Sequence, residues 1–182
     1  MRTRTLTLPA CILFAGLTLC ALSAPALAPA QVQEKDYLSA TEADKIREAM
    51  DPSERIRLFL SFASDRVKQF QYELAHPENT VRRGQRLNGL LNAYTGCVDD
   101  AVDRIELGVE KQQDVRAGIK EMQARAPEFL AYLKELAAKG PERNLYKATL
   151  DDAIAATNDA IRSADEAAQE NAPPPAPVRR PQ

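Results

Sequence analysis

The sequence predicts an all-α fold: an antiparallel four-helix bundle preceded by a short helix. Three observations lead there. Apolar residues between positions 41 and 168 recur in helical period, without the alternation that a half-buried strand requires. Ala, Leu, Glu, Gln, Lys and Arg dominate, while aromatic residues make up only 5% of the chain, a composition that suits solvent-facing helices. Three punctuation signals, at Asp51-Pro52, His76-Pro77 and Gly140-Pro141, cut the periodic region into pieces.

The first helix is expected over residues 42–50, capped by Thr41 or Ser39. Asp51-Pro52-Ser53-Glu54 starts the second: an Asp cap, Pro at the first helical position and an acidic residue three places on. Ile56, Leu60, Ala63, Val67, Phe70 and Leu74 then form one stripe, widened by Phe59. His76-Pro77 ends it, because the residue before proline is pushed out of helical geometry.

A heptad follows. Leu87, Tyr94, Ala101, Gly108, Val115, Met122, Phe129 and Leu136 recur every seven residues, with Leu91, Val98, Ile105, Gln112, Ile119, Ala126 and Leu133 between them. The seam weakens only at Gly108 and Gln112, so a turn is expected within residues 108–114, giving two antiparallel helices. The alternative is one long central helix, residues 81–139, in an extended dimer, about 80 Å long at 1.5 Å per residue. It would leave seam exposed beyond the shorter preceding helix unless a second chain covered it. Pro127 adds a kink or boundary within the second half of the seam. After Gly140-Pro141 the last helix carries Leu150, Ile154, Thr157, Ile161, Ala164 and Ala168, a stripe that thins to small residues and should fray toward its end.

The two ends read differently. Residues 1–30 are expected to be a cleaved signal peptide: Arg2 and Arg4 supply the positive region, residues 9–24 the apolar stretch, and Ala28-Pro29-Ala30 the small residues before the cut. Ala26-Leu27-Ala28 is the alternative cleavage site. The apolar run, about 15 residues, falls short of the roughly 20 that a membrane span needs. Leu19 before Cys20 departs from a lipoprotein signal, and Arg2 and Arg4 are not the adjacent pair of the twin-arginine route. Residues 31–170 form the helical bundle domain, and residues 171–182, with Pro173-Pro174-Pro175-Ala176-Pro177 and Arg179-Arg180, read as a disordered Pro-rich tail. Pro174, Pro177 and Arg179 match a generic proline-ligand pattern.

Removing Arg2 and Arg4 leaves 22 basic against 26 acidic residues, a net charge of −4 that argues against nucleic acid as a partner. Loss of Cys11 and Cys20 with the leader leaves Cys97 alone, so no disulfide forms within the chain, and Cys97 is expected to be a small buried side chain.

Little chemistry is visible. There is one histidine, His76, and the partners that a His-based triad, a multi-histidine zinc site or a haem attachment motif would each need are missing; Glu73-x-x-His76 matches one half of a carboxylate-bridged metal element but lacks a second copy. Asp99, Asp103, Glu106 and Glu110 share one helical face, read as solvated, with Asp100 and Arg104 as a supporting pair. Arg82, Arg83 and Arg86 form the densest basic patch and also read as ordinary surface. Gly84, Gly89, Gly96 and Gly108 allow close packing or a bend, and their spacing does not fit a phosphate-cradling loop. No catalytic, cofactor-binding or metal-binding residue is therefore assigned, and an enzyme is not expected because nothing pairs a nucleophile with a base.

The expected function is that of an exported, non-catalytic binding or scaffolding module, periplasmic or extracellular, a monomer or homodimer acting on a protein partner or a cell-envelope component. The runner-up is a small-ligand or metal-binding bundle with its site near Tyr94, Tyr132 or Tyr146. No membrane span is expected after cleavage.

Overall fold

Ser39 and Asp51 start the first two helices as the sequence implies. Ser39 Oγ accepts the Glu42 N–H while the Glu42 carboxylate takes the Ser39 N–H at 2.8 Å, a reciprocal capping box, and Asp51 accepts from Ser53 N with Pro52 in the first turn. The computed structural model describes residues 37–77 and 82–170, so the expected leader and Pro-rich tail lie outside the described residues. Within them α1 (Ala40–Glu48), α2 (Pro52–Ala75), α3 (Arg83–Glu110), α4 (Arg116–Lys139) and α5 (Lys147–Glu170) follow in order, with a short 3-10 turn at Arg143–Leu145. The protein is a four-helix bundle with a short helix before it. α1 begins two residues earlier than expected because Ser39, not Thr41, takes the cap. α4 runs unbroken through Pro127, which lies on its exposed side, and α5 stays helical to Glu170 despite its thin stripe, since alanine is the best helix former.

The heptad seam is buried along both arms. Leu87, Tyr94, Ala101, Ile105, Val115, Ile119, Met122 and Leu133 are each 2% exposed or less. The two arms belong to separate helices: α3 stops at Glu110, Gln113 N donates to Gly108 O at 2.8 Å, and Gln112 adopts a left-handed φ of 54° that reverses the chain. The continuous helix over 81–139, and the extended dimer built on it, are thereby overturned. Gly108 is small for a steric reason: a Cβ there would sit 2.2 Å from Val115 Cγ1. The weak point of the seam is the turn itself.

The helices form a ring in the order α2, α3, α5, α4. α2 with α3 and α4 with α5 are antiparallel hairpins. α3 and α5 lie side by side and parallel, with Asn88 beside Thr149, Tyr94 beside Thr157 and Glu106 beside Ser163. α2 and α4 are likewise parallel, since Ser53 Oγ donates to Asp114 O at 3.2 Å and a Cβ on Gly118 would meet Ile56 Cδ1 at 2.5 Å. The consecutive helices α3 and α4 therefore face each other across the diagonal.

Gly89 is the contrasting glycine, with nothing within 4 Å of where its Cβ would stand in α3. Gly89→Ala is accordingly expected to stabilise the protein by about 0.5–1 kcal/mol, read as a higher urea midpoint at unchanged m-value.

Candidate functional site

The interior uses its polar groups for structure. Thr157 Oγ1 donates to Ala153 O at 2.6 Å, so the Tyr94 hydroxyl donates to Thr157 Oγ1 at 2.7 Å, and burial pushes the Tyr94 phenol well above its ordinary range. Tyr146 donates to Pro141 O at 2.7 Å with its ring edge-on to Phe70. Tyr132 is half-buried and pushed up to about 12 by burial, with a hydrogen bond to Gln71 working against that rise. The hydroxyls of these three tyrosines are thus committed within the protein. Cys97 is fully buried, as expected.

Arg83 and Asp100 depart from the surface reading. Arg83 is only 6% exposed: its Nε donates to Glu142 Oε2 at 2.7 Å and its Nη1 to Glu73 O at 2.8 Å, a carbonyl in the last turn of α2. It ties the end of α2, the start of α3 and the α4–α5 connection together. Asp100 is 5% exposed and accepts the Tyr37 hydroxyl, while the Tyr37 ring lies over Gly96, where a Cβ would stand 2.8 Å from it. Arg66 completes this tether of the first helix, donating to Tyr37 O at 3.1 Å and Glu42 Oε2 at 2.7 Å.

Burial and the like charge of Asp103 push the Asp100 carboxyl up to about 6, with Arg104 opposing. A carboxyl whose pKa is raised by folding supports the folded state most below the unfolded range, and that support is lost as pH rises through about 6. Asp100→Asn should therefore show a smaller fall in Tm than the parent between about pH 5 and pH 7.5.

The Glu73 and His76 side chains are engaged elsewhere. Glu73 Oε2 accepts from Arg86 Nη2 at 3.2 Å, and His76 Nδ1 donates to Tyr72 O at 2.9 Å, the carbonyl being the only acceptor of the pair. Among the described residues no group of three His, Cys, Asp or Glu side chains is placed to hold a metal ion. Asp99 is pushed up by burial, with Asp103 and Asp159 adding to the shift, and the acidic face continues into a polar hollow bounded by Glu106, Glu110, Glu166 and Glu170.

The α2–α3 face offers more. Lys68, Gln69, Tyr72, Glu73, Arg86, Gly89 and Leu90 line an open groove of about 540 Å³. Tyr72 is 63% exposed and its ring stacks on His76, with centroids 4.1 Å apart and planes 26° from parallel. Tyr72 stands two positions beyond Phe70, off the apolar stripe of α2, so an outward aromatic was visible in the sequence; its partner wall on α3 was not. No known protein family, curated protein or solved structure matches the chain.

Proposed function

We propose that this protein is an exported, non-catalytic helical binding module that holds a protein or cell-envelope partner in its α2–α3 groove. The observation that carries this reading is Tyr72, a large aromatic ring presented to solvent on a rigid helix and flanked by Leu90 and by hydrogen-bonding side chains. Tyrosine is enriched among the few residues that carry most of the binding energy at protein interfaces. Export is supported by the basic, apolar and small-residue succession of residues 1–30. No helix among the described residues is long and apolar enough to cross a membrane.

A photoreactive amino acid placed at Tyr72 in intact cells tests the reading, with the same group at Asp152 on the exposed face of α5 as the control. Adducts at position 72 and not at 152 are expected. Equal labelling at the two positions, or none at 72, would remove the groove as the binding surface. Native mass spectrometry of the protein from its own envelope would show a bound small molecule or metal if the runner-up were right.

A further inference from the structure

On that reading of the groove, we propose that its occupant is the proline-rich tail, residues 173–180, of a second copy of this chain.

The chemistry of groove and tail is complementary. Proline has no N–H, so the segment Pro173-Pro174-Pro175-Ala176-Pro177 presents ring faces and carbonyl acceptors with few donors of its own. The groove presents the opposite set: the Tyr72 ring and Leu90 as an apolar floor, and the Tyr72 hydroxyl, Gln69 amide and Lys68 ammonium as donors. Polyproline ligands are held this way, with proline rings on aromatic faces and donors on the carbonyls between them. Gly89 leaves the floor open, with nothing within 4 Å of its Cβ position. The cations at the groove are balanced, Lys68 by Asp65 at 3.2 Å and Arg86 by Glu73 at 3.2 Å, so they do not set a bare positive field against Arg179 and Arg180.

Geometry decides between the chain's own tail and that of another copy. α5 starts level with the groove, since the Thr149 hydroxyl donates to Asn88, the neighbour of Gly89. From Thr149 the helix runs away from the groove to Glu170, and those 21 residues span about 32 Å at 1.5 Å per residue. The proline run is too close to the end of α5 to come back. Fully extended, the seven residues from Glu170 to Pro177 reach at most about 25 Å. Pro174 to Pro177 cannot return to their own groove, so an occupant drawn from this sequence comes from a second copy.

Sedimentation velocity on residues 31–182 reads the association directly. Two variants separate its halves. Tyr72→Ala removes the floor of the groove and keeps the tail, and Pro174→Ala/Pro177→Ala does the reverse. The parent is expected to form species larger than a monomer as concentration rises, and each variant to associate at least about 10-fold more weakly. Mixing the two variants should restore one heterodimer, in which the intact groove of one chain holds the intact tail of the other. Gly89→Gln, which fills the floor from α3, is a second groove variant expected to match Tyr72→Ala. Circular dichroism checks that each variant remains helical. The proposal is overturned if the parent stays monomeric up to ~1 mM, if the variants associate as strongly as the parent, or if the mixture yields no heterodimer. A monomeric parent whose position 72 still crosslinks to a different protein in cells would overturn this inference and leave the binding-module reading standing.

Discussion

Phe70→Ala is expected to lower the unfolding free energy by about 3–5 kcal/mol, a large fraction of the stability of a domain this size. Phe70 is 1% exposed and meets Tyr146 edge-on with ring centroids 5.2 Å apart. Tyr146 in turn holds Pro141 O through its hydroxyl, so Phe70 packs α2 against the connection between α4 and α5. Removing the ring forfeits its burial and leaves a void beside Tyr146 that the surroundings fill only in part. Phe70→Leu keeps most of the volume and should cost a fraction of that. Urea unfolding followed by circular dichroism measures both, and a loss below about 1 kcal/mol for Phe70→Ala would mean that this end of the bundle is not packed as described.

The second large effect concerns the reversal between α3 and α4. Gly108→Ala gains helix propensity at the end of α3, yet its Cβ would lie 2.2 Å from Cγ1 of the fully buried Val115. Overpacking wins, at a net cost of about 1–3 kcal/mol. Val115→Ala removes the atom in the way and itself costs burial. The double variant should therefore be less destabilised than the sum of the two single variants. Strict additivity in this cycle would show that the two positions do not meet.

Much of the architecture could be read from the residues alone because its boundaries rest on local chemistry. Ser39 and Asp51 cap by side-chain hydrogen bonds to residues two or three places on, and Pro52, Pro77 and Gly140 act within a turn of their own positions. The α3–α4 turn was harder, because Leu87 to Ile105 and Val115 to Leu136 keep one phase across it and the left-handed residue is Gln112 rather than a glycine. Periodicity marks which face is buried and not what covers it, so the parallel pairing of α3 with α5, and of α2 with α4, had no signal in the sequence.

The same limit applies to the side chains outside the core. Arg83 read as one of three solvated arginines because its partners, Glu73 O and Glu142, come from the end of α2 and from the connection after α4. Asp100 read as the surface partner of Arg104 because Tyr37, which covers it, lies 63 residues away in the chain. Tyr72 was readable as an outward aromatic, but its groove exists only once α3 brings Arg86, Gly89 and Leu90 alongside.

The surface reading of function depends on the apolar seam being consumed within one chain. Paired spin labels at Gln85 and Lys139, both exposed, test this by pulsed electron resonance in a chain carrying Cys97→Ala. The turn at Gln112 brings the start of α3 and the end of α4 to the same end of the bundle, where Arg83 meets Glu142 at 2.7 Å. A label separation below about 35 Å is expected, allowing one bundle width of helix packing plus the label arms. A separation near 80 Å, the length of about 54 residues of unbroken helix, would contradict the account.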